Sequence, residues 1–187
     1  MDAIAALIRR HLQPRVFLPL LALALVTTWY GLGPSLTRFA ELTGSDQRFV
    51  DMQPALTAPS LLAQVRSYAP DTVHFYIGWS LFDVAWPFLT YTTMLFITAW
   101  LLRQAGPAWE ARFPLFVAVA YATVLMDWAE NAGFVTLVLA APSEPAFVAP
   151  LAVACHRAKL FFNLVFNIGF LVVLLTAVTV RLRGTRL

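Results

Sequence analysis

The chain has 187 residues, of which 60% are apolar and only 12% charged, with a formal net charge of +3 and a mean hydropathy of +0.72. A soluble domain runs at about 45–50% apolar and about 25% charged, so a soluble enzyme is excluded, and 15 Phe, 6 Trp and 5 Tyr exclude a disordered chain. One cysteine, Cys155, forbids an internal disulfide and a Cys-based metal cluster, and the mostly arginine cations form no stripe of the kind that binds nucleic acid.

A bilayer core about 30 Å thick needs roughly 20 apolar residues per helix, and four stretches qualify. The first, 16–33, follows a basic stretch with Arg9, Arg10 and Arg15. Trp29 and Tyr30 then form an interfacial belt where a cleaved signal peptide would show an A-x-A site, so the span is read as retained. The next segment, 34–77, is too long for a bare connection, and two short helices are expected within it, at 34–42 and at 57–69. In the second, Thr57 is placed to cap and Leu61, Leu62, Val65 and Tyr68 share a face. Such a helix would rest on lipid headgroups or cover the mouth of the bundle. The second span, 78–102, holds Pro87, which should kink it and free a carbonyl one turn earlier. The third, 114–140, and the fourth, 159–180, enclose a 141–156 loop. No internal repeat suggests an inverted-repeat transporter.

The reading is therefore an all-α, four-transmembrane-helix bundle, a single membrane domain over 1–187 with a helical loop between spans 1 and 2. Cations set its orientation. The N-terminus, the 103–113 loop and the C-terminus carry Arg9, Arg10, Arg15, Arg103, Arg112, Arg181, Arg183 and Arg186 against only Asp2 and Glu110. Both termini are expected in the cytoplasm, with 34–77 and 141–156 outside, in the inner (plasma) membrane of a bacterium.

Ionisable residues inside a span cost roughly 2.5–3.5 kcal/mol on insertion scales and so face the bundle interior or a wet cavity. This chain keeps Asp83, Asp127, Glu130 and Lys159. Asp127, Glu130 and Asn131 lie at i, i+3 and i+4 in the run DWAEN, on one helix face. On the fourth span Lys159, Asn163 and Asn167 repeat every four residues, with His156 one turn above. On the second, Asp83, Pro87, Thr90, Tyr91 and Met94 share a face. Asp83 lies near the outer end of its span, and Asp127 to Asn131 at the midplane or slightly outside it. Lys159 and Asn163 lie in the outer half and Asn167 at the middle, which predicts that three helices bring polar groups together in one outer-half layer.

Asn and Asp across helix interfaces also serve as hydrogen-bonding glue, worth about 0.6 kcal/mol each. Three carboxyls against one lysine exceed that role, because like charges close together cannot all ionise and one must hold a proton, a cation or water. The predicted ligand-binding residues are Asp83, Tyr91, Asp127, Glu130, Asn131, Lys159, Asn163 and Asn167, with Asp127, Glu130 and Asp83 as candidates for acid–base catalysis. Asp127, Glu130, Asp83 and His156 carry metal-ligand atoms, but no E-x-x-H or H-x-x-x-H spacing supports a metal site, and no cofactor motif is present. His11 and His74 read as surface histidines. Cys155 and His156, adjacent on a helix, point apart and make no nucleophilic pair.

Asp83 followed by Pro87 and Tyr91, then DWAEN, resembles a set of small four-span bacterial membrane proteins, a likeness that implies the fold and no activity. DMQPAL at Asp51, RSYA at Arg66 and SLFDVAWPFLTY at Ser80 are similar to the loop and second span of the EXPERA family. That family includes a sterol isomerase and a sigma-2-type receptor. The second likeness implies that Asp83 matches the second-span acid and that the pocket takes an amphiphilic amine or a sterol-like molecule. The DWAEN run and the Lys159 stripe have no counterpart in that pattern.

Three function classes follow. A pocket for a lipophilic or amphiphilic molecule predicts a cavity of roughly 300 Å³ or more. A structural or assembly protein, self-associated or not, predicts a filled bundle with every carboxyl paired. A proton- or ion-coupled transport unit needs a polar path through the inner halves of the spans, which are almost wholly apolar.

Overall fold

The computed structural model describes residues 1–44 and 47–184, and among them the chain is helical with no strand. The elements are α1 Asp2–Arg10, α2 Pro14–Thr27, α3 Gly33–Thr43, α4 Ala58–Arg66, α5 Pro70–Ala105, α6 Pro107–Glu110, α7 Phe113–Ala140 and α8 Val148–Gly184. Four stretches are long and apolar enough to cross a membrane: Pro14–Thr43, Pro70–Ala105, Pro107–Ala140 and Val148–Arg183. The chain is a multi-pass membrane protein. α5, α7 and α8 pack on one another as a three-helix core, and α2 docks against α5.

Three boundaries differ from those expected. The 34–42 helix does not stand apart from the first span, because α2 and α3 run together through a π-helical turn at Thr28–Leu32. Pro34 lacks an N–H and would crowd the carbonyl four residues back; the wider turn absorbs that conflict. Thr27 and Thr28 hydroxyls donate to the Ala24 carbonyl just before it. The second span starts at Pro70 rather than 78, with Asp71 and His74 exposed in its first turns. A helix of 36 residues is about 54 Å long, well beyond the bilayer core. The fourth starts at Val148 rather than 159, so the 141–156 loop shrinks to 141–147. Val148, Ala149, Ala152 and Val153 are all buried, which gives that extension its apolar face.

Thr57 does cap α4: its side chain accepts from the Ser60 N–H while Ser60 Oγ accepts from the Thr57 N–H. Leu61 and Val65 are buried, Leu62 and Tyr68 pack beside them, and α4 lies across the ends of α7 and α8. It covers the bundle. Gln53 and Gln64 side chains brace the segment before it, each donating to the Arg48 carbonyl, and Arg66 pairs with Glu144 on the α7–α8 loop at 2.9 Å. His11 and His74 are exposed.

Pro87 leaves the Asp83 carbonyl without its helical donor, and the neighbouring Val84 carbonyl accepts from Trp128 Nε1 at 2.8 Å. Two apolar clusters divide the bundle. One, at the capped end, gathers Phe39, Phe49, Leu61, Tyr76, Trp79, Phe134 and Leu137. The other, at the opposite end, gathers Leu95, Leu102, Phe113, Val117, Phe166 and Val173. The polar side chains lie in the layer between them.

Candidate functional site: a polar layer beside a cavity

Each core helix contributes to this layer the residues its periodicity assigns. α7 turns Asp127, Glu130 and Asn131 inward, all buried; α5 brings Asp83, also buried; α8 brings His156 and Lys159. Lys159 Nζ donates to Glu130 Oε1 at 2.6 Å and stands 3.1 Å from Asp127 Oδ1. Asn131 Nδ2 donates to Asp83 Oδ2 at 2.8 Å and to Asp127 Oδ2 at 3.3 Å, joining carboxyls of two helices. The three helices do converge here.

Glu130 is fully buried, and its Oε1 also lies 3.2 Å from Nδ1 of the equally buried His156. His156 Nε2 is 2.8 Å from the Gln53 carbonyl. A carbonyl only accepts, so Nε2 carries the hydrogen. His156 Nδ1 and Glu130 Oε2 are both buried without a hydrogen-bond partner. Deeper toward the uncapped end, Tyr91 donates to Asn163 Oδ1 at 2.9 Å, and Asn167 Nδ2 donates to the same oxygen.

Beside this network lies a cavity of about 430 Å³. Of the residues expected at the site, Asp83, Tyr91, Asp127, Lys159, Asn163 and Asn167 line it. Glu130 and Asn131 do not. They are buried off the cavity wall, where Glu130 holds Lys159 and Asn131 holds the two aspartates. Both stand there because i+3 and i+4 turn them past Asp127 toward α8 and α5 respectively. Apolar walls come from Trp86, Pro87, Met94, Leu160 and Phe166.

Asp51 is a wall residue that periodicity did not single out. It sits in the short 3₁₀ turn Val50–Met52 of the capping segment and reaches the cavity with Met52. Its Oδ1 is sealed from solvent with no hydrogen-bond partner. Burial pushes the Asp51 carboxyl well above the usual carboxylate range, with Asp83 adding to the rise and Lys159 opposing it. The available signal was an acid set between Phe49 and Val50, both fully buried, and Met52. Thr90 Oγ1, also at the cavity, is likewise buried and unpaired. Among the described residues, no three His, Cys, Asp or Glu side chains are grouped as a metal ion would require.

Comparison with family models, with curated proteins and with solved structures finds no match for this chain. Its function is therefore argued from the site alone.

Proposed function

We propose that this membrane protein binds an amphiphilic small molecule in the cavity between α5, α7 and α8. The observation that carries this reading is the make-up of the walls. Three carboxyls (Asp51, Asp83, Asp127) face one lysine at one side, and aromatic and aliphatic side chains form the rest. A volume of about 430 Å³ suits a ligand of drug or lipid-fragment size. The surplus of acids favours a head with positive charge or several hydroxyls, and the unpaired oxygens of Asp51 and Thr90 are ready to receive one. The EXPERA-like SLFDVAWPFLTY stretch supplies five of the wall residues, Asp83, Trp86, Pro87, Thr90 and Tyr91, and suggests the same ligand class. With Asp83 and Asp127 at the cavity wall beside Lys159, the layer is also equipped for acid–base chemistry on what it binds. The glue reading fits less well, because it asks for a filled interior with all carboxyls paired. The charge pattern supports an orientation with the capped end outside and both termini in the cytoplasm of a bacterial cell.

The test is extraction and mass spectrometry of small molecules that co-purify with the protein in nanodiscs. We expect a defined amphiphile with the wild type that is lost in Asp83→Asn and Asp127→Asn, while helicity and thermal stability stay within a few degrees. Identical extracts from all three proteins, or a clear loss of stability in both variants, would reject the pocket and favour glue.

A further inference from the structure

Phe166 lines two cavities. Besides the polar one, it forms a wall of a groove of about 140 Å³ bounded by Leu115, Phe116, Val119, Val165 and Gly169. Its ring meets Tyr91 edge-on at 5.3 Å on one side and Phe116 edge-on at 6.2 Å on the other, so one buried ring separates the two spaces. The groove is wholly apolar, and Leu115 and Val165 at its rim are exposed where lipid would lie. Gly169 helps keep it narrow-walled: a Cβ there would sit 3.0 Å from the Phe116 ring. Asn163, the polar cavity's amide, and Gly169 are six residues apart on α8, about 9 Å along the axis. The groove thus continues the cavity away from the carboxyl layer, toward the uncapped end.

We propose that this groove is the subsite for the hydrocarbon tail of the same amphiphile, with Phe166 as the gate between head and tail. The inference rests on the pocket reading above and adds that the ligand is a long single-chain amphiphile lying across the Tyr91–Phe166–Phe116 aromatic row. A bulky rigid ring system would fill the polar cavity and never reach the groove. A chain passes once the Phe166 ring swings aside.

Photo-crosslinking tests it. The full-length protein in nanodiscs is irradiated with either of two hexadecylamines, one carrying a diazirine next to the amine and the other near the end of the chain. An excess of unlabelled hexadecylamine serves as the specificity control. The head-proximal probe should label the α5 and α8 segments around Tyr91 and Asn163. The distal probe should label the segments holding Leu115–Val119 and Val165–Gly169. Val119→Trp, which fills the groove from its rim, should abolish the competable distal label and leave the proximal one intact. Phe166→Ala should raise the distal label. A proximal label with no competable distal label on those segments would overturn the tail subsite while the pocket stands. Loss of both labels in the wild type would overturn the pocket and the subsite together.

Discussion

Lys159 supplies the one lysine charge in the polar layer, and its replacement by methionine isolates what that charge does. Its side chain is only 12% exposed and holds Glu130 at 2.6 Å and Asp127 at 3.1 Å. Methionine keeps the length and the apolar stem and removes the charge. Removing one partner of a buried pair typically costs about 3–5 kcal/mol. A second route gives the same size. The layer can restore its charge by binding one proton, and a carboxyl of ordinary acidity near 4 takes one up at pH 7 at a cost of about 4 kcal/mol. For a chain of this length that lowers the melting temperature by about 8–16 °C. The folded variant then holds a proton that the unfolded chain has released, so its stability falls as pH rises. The deficit should shrink by about 1.4 kcal/mol per unit of acidification, to roughly 1.4 kcal/mol at pH 5. Thermal unfolding in mild detergent between pH 5 and 8 reads this out. Lys159→Met combined with Glu130→Gln should recover most of the loss at pH 7, since it removes a carboxylate along with its counter-charge. A Lys159→Met protein as stable as the wild type at pH 7, or equally destabilised at pH 5 and pH 8, would refute the ion-pair argument.

Asp51→Asn removes a carboxyl that burial keeps protonated beyond the usual range. The stability this proton confers on the wild type is present below about pH 4 and fades as pH rises, so the variant should gain on the wild type above about pH 4 in the same melting assay. Arg66 lowers the Glu144 carboxyl, so their tie is fully formed near neutrality and lost as pH falls through that lowered value. Arg66→Gln should speed amide hydrogen exchange in Ala58–Arg66 at pH 7, an effect that fades as pH falls through that lowered value. In a Cys155→Ser background, a cysteine at Ala55 should react with an impermeant maleimide from outside the cell and one at Gln104 only after lysis. Ala55 is exposed. Labelling of both from one side would refute the orientation.

The spans were legible because the bilayer demands long uninterrupted apolar runs, and nothing in a soluble chain imitates four of them. Their ends were less so. Pro34 read as a stop because a proline ends an ordinary α-helix, and the π turn that absorbs it leaves no compositional mark. The first turns of α5 and α8 carry Asp71, His74 and Pro150, residues that argue against a membrane span but are at home at the end of a helix longer than the bilayer core. Within the layer, periodicity brought Asp83, Asp127 and Lys159 to one place, since i, i+3 and i+4 positions share a face whatever they touch. It could not separate the wall from what lies off it: Asp127 lines the cavity and Glu130, one turn away, does not. That difference is set by where α8 crosses α7, and Gly133 against Ala152 is the contact that fixes the crossing, because a Cβ on Gly133 would stand 2.7 Å from that of Ala152. Asp51 lay beyond any periodic argument. It reaches the cavity because the His156 ring holds the Gln53 carbonyl and because Phe49 and Val50 bury beneath the cap. The reach of its carboxyl is thus a property of the packed cap and not of the segment that contains it.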